Sequence, residues 1–265
     1  MKKNDILTPV GIALGIGFIF YAISQGGTGV GIFIDIPSFI ITIGGSFAAV
    51  LITYDLETIK KIPSALKMSI VSVNVNKVDL VDQFKELSKI IRKDGVLAIE
   101  QQIEEMEDPF LKKGLELIVD GVDADDVKEI LEIELNEREK VYDSSSKIFK
   151  LWGSYAPAFG MVGTLIGLIQ MLADMGSPDE IAAGMSTALI TTLYGAFFTN
   201  LLFNPLGFNI ETKGEKEIEY LEMVVCGLKS IQNSDSVRAM EEKLITHLNE
   251  KDRKAYYENT SSEVA

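Results

Sequence analysis

Charged side chains are absent from four long apolar stretches of this 265-residue chain. The charge-free stretches contain 29, 19, 23 and 30 residues and lie between Asp5 and Asp35, Asp35 and Asp55, Lys150 and Asp174, and Glu180 and Glu211. A helix of about 20 apolar residues crosses the hydrocarbon core of a bilayer. The pattern therefore predicts an integral membrane protein with spans at about 6–23, 37–54, 152–173 and 181–203.

The polar block between the second and third spans has helical periodicity throughout. Leu80, Phe84, Leu87 and Ile91 recur at three- and four-residue spacing, and Asp94-Gly95 is typical of a helix C-terminus. The last helix of the block is long enough to continue directly into span three.

We therefore expect an all-α integral membrane protein with four transmembrane helices in two hairpins. Its predicted segments are a first hairpin (1–54), a helical cytoplasmic domain (55–150), a second hairpin (151–206) and a helical C-terminal tail (207–265). Composition predicts disorder at the end of the tail, in Asn259 to Ser262.

Basic residues indicate which polar segments share a side of the membrane. Residues 55–150 include 15 basic and 22 acidic side chains, and residues 211–265 include 8 and 12, whereas the connectors within the hairpins contain no Lys or Arg. Basic residues near span ends stay in the cytoplasm. Both termini are thus predicted to be cytoplasmic in a multi-pass protein of the cytoplasmic (inner) membrane.

The N-terminus resembles a cleavable signal peptide. Its apolar run exceeds the usual length of about 7–15 residues for the apolar region of such a peptide, and we expect the segment to remain as a span.

Composition argues against several kinds of site. The net charge of −14 disfavours nucleic-acid binding. A single cysteine, Cys226, and a single histidine, His247, exclude an intrachain disulfide and a multi-histidine metal site, and no cofactor is expected. The spans contain no carboxylate, the group on which ion paths in membranes usually depend. A partner would have to supply it.

Small and hydroxyl-bearing residues share one helical face in each of the last two spans. They are Gly160, Gly163, Gly167 and Thr164 in span three, and Gly184, Ala188, Thr191, Thr192, Gly195 and Thr199 in span four. Such faces allow close helix packing. Alternatively, the Thr hydroxyls face a water-filled path, where oxygen atoms could ligate Na+.

Two prolines and two charged residues also allow two interpretations each. Pro157 and Pro205, near the cytoplasmic ends of spans three and four, either set an adjustable angle between helices or produce a static kink. Arg92 and Glu100 flank the Asp94-Gly95 turn, where they either contact a charged partner or remain solvated.

The second hairpin resembles the MotA/PomA family of flagellar stator subunits, within the wider group that includes TolQ and ExbB. The resemblance is carried by APAFGMVGTLIGLIQML at 156–172, TTLYGA at 191–196 and Asn204-Pro205. TolQ and ExbB have three spans, so the additional hairpin here favours MotA.

The resemblance implies a rotary ion channel. A ring of five copies is expected to surround a MotB-like dimer of single-span subunits, whose membrane Asp supplies the missing carboxylate. Flow of H+ or Na+ past that Asp would turn the ring, and the cytoplasmic domain would pass torque to the rotor protein FliG.

The resemblance also implies roles for individual residues. Pro157 and Pro205 match the family prolines that couple conformational change, Arg92 and Glu100 match the rotor-facing pair, and Thr192 matches the threonine beside the partner Asp. Thr164 occupies a position where sodium-driven members carry Thr. The remaining residues expected along the ion path or facing the partner are Gly160, Gly163, Gly167, Thr191 and Gly195.

Three other functions compete with the stator interpretation. The first is a TolQ/ExbB-like energiser of an outer-membrane process, and the second is a membrane scaffold that conducts nothing. The third is a membrane-embedded enzyme, which is disfavoured because no nucleophile-base pair or metal cluster lies within or beside the spans.

Overall fold

The computed structural model describes residues 5–27, 29–173 and 176–263, with side chains described as far as Glu258. These residues form helices and connecting turns without a β-strand. Met1 to Lys3, Thr28 and Asp174 lie outside the described residues. The chain divides into a span unit, Met1–Ser72 with Tyr142–Lys213, and a polar unit, Val73–Val141 with Gly214–Ala265. The predicted central block and tail thus contribute most of their residues to one compact unit.

The N-terminal part of the span unit contains the first hairpin, which begins with helix α1, and two short helices that follow the hairpin. The elements are α1 (Leu7–Gln25), α2 (Ile36–Phe39), a π-helical turn (Ile40–Gly44), α3 (Gly45–Thr53), α4 (Leu56–Lys60) and α5 (Ile62–Ile70). Asp35 starts α2 because its carboxylate accepts a hydrogen bond from Ser38 N at 2.8 Å, and Pro37 follows in the first turn.

Four helical stretches have the length and apolar character of a membrane span, which confirms the predicted fold class. They are Leu7–Gln25, Val30–Thr53, Ala124–Ala173 and Pro178–Gln232. Helix α1 has no buried residue, and Leu7 and Phe18 are 83% and 70% exposed. Apolar faces this extensive are unstable in water and are typical of a helix within a membrane.

The second hairpin consists of helices that extend beyond the apolar stretches. Helix α9 covers Ala124–Ala173 without interruption, which agrees with the prediction that the preceding helix continues into span three. Helix α10 (Pro178–Phe198) is followed by a π-helical turn (Thr199–Phe203) and by α11 (Asn204–Gln232). A small core within the span unit contains Ala65, Phe149, Ala156, Phe203, Leu206 and Ile210.

The polar unit has its own hydrophobic core. Its further helices are α6 (Lys77–Asp94), α7 (Glu100–Glu104), α8 (Pro109–Val119), α12 (Val237–Ile245) and α13 (Glu250–Glu263). The predicted stripe of α6 is buried at Leu80, Phe84 and Leu87. The helix ends at Asp94 because Gly95 adopts φ +86°, a conformation that favours glycine.

The end of the tail is helical in the structure. Helix α13 continues to Glu263 across Asn259 to Ser262, for which composition predicts disorder. Tyr256 anchors this helix with a side chain that is 3% exposed. Once a helix is nucleated by such packing, each added residue gains a backbone hydrogen bond, so the helix extends past its anchor.

Candidate functional site: the contact between the last two spans

Helices α9 and α10 approach so closely that side chains are excluded from part of their contact. A methyl group added to Gly167 would lie 2.5 Å from Gly184 O and 2.7 Å from Ala188 N. A methyl group on Gly184 would lie 2.7 Å from Gly167 O. The two glycine faces identified in the sequence therefore pack against each other within one chain, as small residues permit in membrane helices.

Thr191 lies inside this contact. Its side chain is fully buried, and its hydroxyl donates to Thr187 O at 2.9 Å and Ala188 O at 3.1 Å. Gly163 faces the Thr191 side chain directly, and a methyl group on Gly160 would lie 3.0 Å from Thr191 O. These residues fill the interior between two helices of the same chain.

Gly195 forms the next contact along the same helix pair. A methyl group there would lie 3.0 Å from Ala156 O and 3.1 Å from Pro157 Cα. The backbone at Pro157 therefore contacts the backbone of span four at Gly195, and no side chain separates the two helices there.

Thr164 and Thr192 lie at the edge of the contact, where solvent or a partner can reach them. Their hydroxyl oxygens are 2.6 Å apart. Thr164 Oγ1 is also within hydrogen-bond distance of Gly160 O and Ala188 O, both at 3.1 Å, and Thr192 Oγ1 is 3.2 Å from Ala188 O. Because each hydroxyl has one hydrogen, donation to these carbonyls alternates with donation within the pair. The structure therefore brings together the two hydroxyls that the sequence links to ion passage, and Thr192 is exposed on this chain.

Span two contributes residues that the sequence interpretation missed. Thr42, fully buried in the π-helical turn Ile40–Gly44, donates to Thr191 O at 3.4 Å. Trp152 Nε1 donates to Ser46 Oγ at 3.0 Å, and its ring stacks on Phe203 with centroids 4.4 Å apart. Thr and Ser at four-residue spacing in an apolar span were the available sequence signal.

Tyr194 holds the connector of the first hairpin against span four. Its hydroxyl donates to Phe33 O at 2.7 Å and accepts from Asp35 N at 3.0 Å. Phe39 and Phe198 pack edge-on against its ring. The sequence interpretation used Tyr194 only as part of a motif.

An ion pair joins the start of α1 to α11. Asp5 Oδ2 lies 2.9 Å from Lys213 Nζ, and the Lys213 ammonium also donates to Ser69 O. Asp5 accepts further hydrogen bonds from Thr8 Oγ1 and Leu7 N, both at 3.1 Å. The hydrogen bond and charge of Lys213 lower the pKa of Asp5 from 3.8 to about 2.

Pro205 follows the π-helical turn that ends span four. The turn comprises Thr199–Phe203, and Pro205 is the second residue of α11. Thr199, 6% exposed, donates through Oγ1 to Gly153 O at 3.0 Å. Pro157 lies inside the continuous helix α9, four residues after Gly153.

Known proteins share both the sequence and this fold. A family model described as the MotA/TolQ/ExbB proton channel family matches residues 102–223. Motility protein A of Borreliella burgdorferi is 36% identical over 249 residues, which cover 94% of this chain and 96% of that protein. This chain belongs to the MotA/TolQ/ExbB proton channel family.

Further relatives of this chain support its assignment to the MotA/TolQ/ExbB family. Chemotaxis protein PomA of Vibrio alginolyticus is 32% identical over 93% of this chain and 96% of its own length. A chain of the flagellar MotAB stator complex from Bacillus subtilis superposes with a TM-score of 0.83 at 30% identity, covering 93% of this chain and 97% of that chain. The predicted resemblance to flagellar stator subunits, in a channel family rather than an enzyme family, is confirmed.

In this MotA/TolQ/ExbB chain, Arg92 and Glu100 lie on the surface of the polar unit. Both are exposed, on either side of the Gly95 turn. Between them Leu97 is 71% exposed in a short 3-10 helix, Val96–Ile99. The geometry presents one charge of each sign beside an apolar side chain.

The sequence interpretation did not identify a neighbour of Arg92. The Arg92 guanidinium donates through Nη1 to Asp235 O at 3.3 Å, and Asp235 pairs with Lys243 at 2.6 Å. The turn holding Asp235 is closed by hydrogen bonds from Asp235 N to Ser230 O and from Ser234 N to Ile231 O, with Ser234 at φ +55°. This is a Schellman C-cap, which fixes the turn beside Arg92.

Across the described residues, no group of three or more His, Cys, Asp or Glu side chains is placed to hold a metal ion. The oxygen atoms at the edge of the α9 and α10 contact are instead two hydroxyls and a carbonyl, which suit transient contact with a hard cation.

Proposed function

We propose that this chain is the MotA-like subunit of a flagellar stator, in which it and a MotB-like partner form an ion path and convert ion flow into torque. The observation that carries this proposal is the Thr164–Thr192 hydroxyl pair, 2.6 Å apart at the edge of two spans that lack any carboxylate. The pair can contact an ion, but it cannot bind and release a proton as a carboxylate does.

A partner must therefore complete the path. The related structure is named as a MotAB complex, which supports a MotB-like partner for this chain. We expect the membrane Asp of that partner to approach the hydroxyl pair. Thr192 is exposed on this chain and is the hydroxyl most accessible to such a partner. Expressed without the partner, the chain is expected to conduct few ions.

Copies of this chain are proposed to form a ring, a homopentamer, around the partner. The exposed apolar residues of α1 and of the last two spans are the surfaces available to lipid and to neighbouring copies, among them Phe18, Met161, Leu165, Ile169 and Leu189. In such a ring, the contacts of Gly167 with Gly184 and of Gly163 with Thr191 would remain within each chain.

The polar unit is proposed to face the cytoplasm and to contact the rotor protein FliG through Arg92 and Glu100. The excess of Lys and Arg in residues 55–150 and 211–265 over the hairpin connectors supports this side, with both termini in the cytoplasm. Exchanging the charge of Arg92 together with that of its FliG partner should restore motility lost in either single change. Failure of every such exchange would assign Arg92 to the solvated surface.

The coupling ion is proposed to be sodium, on the basis of Thr164. A hydroxyl at this position offers an oxygen ligand for Na+ that a small apolar residue would lack.

The deciding experiment measures the rotation of cells whose only stators are this chain and its partner. Speed is recorded at fixed pH while external Na+ is varied, and a protonophore is added separately. Speed that rises and saturates with Na+ supports a sodium-driven stator. Speed that ignores Na+ but is abolished by the protonophore makes the stator proton-driven and overturns the sodium assignment. No rotation under any ionic condition would contradict the stator proposal, whereas support of an outer-membrane process by the same cells would favour the TolQ/ExbB-like alternative.

A further inference from the structure

Pro157 removes a hydrogen bond from the interior of α9. Proline has no backbone N–H, so the carbonyl four residues earlier, Gly153 O, loses the donor that any other residue at 157 would supply. Gly153 is buried. A carbonyl without a donor is costly in a protein interior, and more so in a bilayer, where water cannot replace the donor.

Thr199 of the neighbouring span supplies the missing donor. Its Oγ1 donates to Gly153 O at 3.0 Å, and its side chain is only 6% exposed. Glycine at 153 permits this approach, because a Cβ there would collide with Asn204 Oδ1 and lie 3.3 Å from Phe203 Cβ.

Among the described hydrogen bonds, the Thr199 hydroxyl bonds only to another helix, whereas Thr164 bonds both within its own helix and across to Ala188 O. Thr164, Thr191 and Thr192 each donate to the carbonyl four residues earlier in their own helix. This is the usual local bond of threonine in a helix. Thr199 instead bonds across to another helix, at the one carbonyl that Pro157 leaves without its helical donor.

Thr199 also begins the π-helical turn Thr199–Phe203, which is followed after one residue by Pro205. The same residue thus satisfies the carbonyl released by the first proline and starts the irregular turn before the second. π-Helical turns occur often at functional sites.

We propose that Thr199 is a positioning residue that fixes the helix angle at Pro157 and couples it to the turn at Pro205. The proposal rests on the stator function given above, in which these prolines transmit conformational change. A threonine hydroxyl in a helix can also bond the carbonyl four residues earlier, which for Thr199 is Gly195 O. Moving the hydroxyl there would free the angle at Pro157 but leave Gly153 O without a donor, so the bond to Gly153 O favours one helix angle.

The hydrogen bond can be tested without motor function, by a double-mutant cycle on the purified complex with its partner. Thr199→Val keeps the shape and removes the hydroxyl, whereas Thr199→Ser keeps the hydroxyl. We expect Thr199→Val to lower the melting temperature by about 2–8 °C and Thr199→Ser to lower it much less. Ser154→Ala is the matched control, because the Ser154 hydroxyl bonds within its own helix to Leu151 O and the residue is exposed.

The second arm of the cycle uses Pro157→Ala. Alanine restores the N–H that can bond Gly153 O, so Thr199→Val should cost little in this background. An equal loss of melting temperature in both backgrounds would overturn the assigned hydrogen bond, as would no loss in either.

The positioning role is tested by torque per stator unit, taken from the height of the discrete speed steps of a tethered motor. Thr199→Val should lower the step height, and Thr199→Ser should restore it. A lowered melting temperature with unchanged step height would reduce Thr199 to a structural role and overturn the coupling. If the complex drives no motor at all, the stator function fails, while the thermal cycle still decides the hydrogen bond.

Discussion

Thr164 Oγ1 and Thr192 Oγ1 lie 2.6 Å apart, and both hydroxyls also reach the carbonyl of Ala188. Three oxygen atoms from two helices therefore converge at the accessible edge of an otherwise packed contact. Hard cations prefer such oxygen ligands, although the set is too small to hold an ion without further oxygens from water or a partner.

The first prediction concerns Thr164. In a sodium-driven stator, Thr164→Ala should abolish Na+-dependent rotation while the complex with its partner still assembles, because the variant removes one cation ligand and adds no bulk. Thr164→Ser retains the oxygen and should rotate. The measurement is speed against external Na+, with assembly followed by co-purification of the partner. Full-speed Na+-dependent rotation of Thr164→Ala would show that Thr164 is not a ligand.

The second prediction concerns the close approach of Gly167 to Gly184. Gly167→Ala should separate α9 from α10 and cost roughly 1–3 kcal/mol, because the new methyl group meets backbone atoms that cannot move aside. Gly17→Ala is the control, since nothing in this chain lies within 4 Å of the added methyl group. Thermal unfolding of the purified complex measures both. Equal melting temperatures would contradict the described helix contact.

The third prediction concerns the Asp5–Lys213 ion pair. Folding lowers the pKa of Asp5 from 3.8 to about 2, so the pair stabilises the protein fully above pH 4 and loses this contribution as pH falls toward 2. Asp5→Asn should therefore be less stable than the parent at pH 7, by roughly 1–3 kcal/mol. This estimate is below that for a fully buried pair because Asp5 keeps 17% of its side-chain surface exposed.

The check on the Asp5 prediction is a pair of melting curves measured at several pH values. The difference between the parent and Asp5→Asn should shrink as pH falls from 4 to 2, since Asp5 of the unfolded parent binds a proton there that the folded parent does not, and the variant has no such group. A difference that is constant with pH would mean that Asp5 acts through packing or neutral hydrogen bonds.

The fourth prediction concerns Tyr256, which joins three helices of the polar unit. Its hydroxyl accepts from Lys85 Nζ at 2.8 Å and donates to Glu241 Oε1 at 2.6 Å. Burial and the hydrogen bond to Glu241 raise the pKa of Tyr256 to about 12, so the phenol stays protonated at physiological pH.

Tyr256→Phe should loosen α13 while leaving the rest of the polar unit folded, because Lys85 and Glu241 remain paired at 2.9 Å. Loss of about 1 kcal/mol would raise amide hydrogen exchange in α13 roughly fivefold. Exchange in α8 serves as the internal control and should not change. Unaltered exchange in α13 would show that the ring alone, 3% exposed, holds the helix.

Periodicity in the sequence identified the helices because each apolar stripe has a single compatible structure. The stripe through Leu80, Phe84 and Leu87 could be buried only as one face of a helix, and Gly95 could end that helix because it tolerates positive φ. The continuity of α9 followed from the absence of any helix stop between 124 and 150.

Periodicity could not show what each face contacts. Thr191 shares a stripe with Gly195, but the groups that contact it are distant in sequence. Gly163 faces its side chain, and the Thr42 hydroxyl bonds its carbonyl. The same limit applies to Arg92 and Asp235, which are 143 residues apart. Within the site, the sequence could predict which residues are small or hydroxyl-bearing, whereas only the fold separates Thr164 and Thr192 at the edge from Thr191 inside.

The π-helical turns were also beyond sequence prediction. A π turn inserts an extra residue into the helical repeat, and the extra residue is stabilised by tertiary contacts such as Thr199 Oγ1 to Gly153 O. Pro205 signalled an irregularity near the end of span four, but it did not indicate on which side the irregularity would lie.

Trp152 stacks on Phe203 beside the π-helical turn and hydrogen-bonds Ser46 of span two. It is also the only tryptophan in the chain. The tryptophan fluorescence of this subunit therefore originates where three spans meet, with Trp152 five residues before Pro157 and its stacking partner Phe203 two residues before Pro205. A change of helix angle there would alter the polarity and quenching around the indole, so the unlabelled subunit contains an optical sensor with which the proposed coupling can be followed.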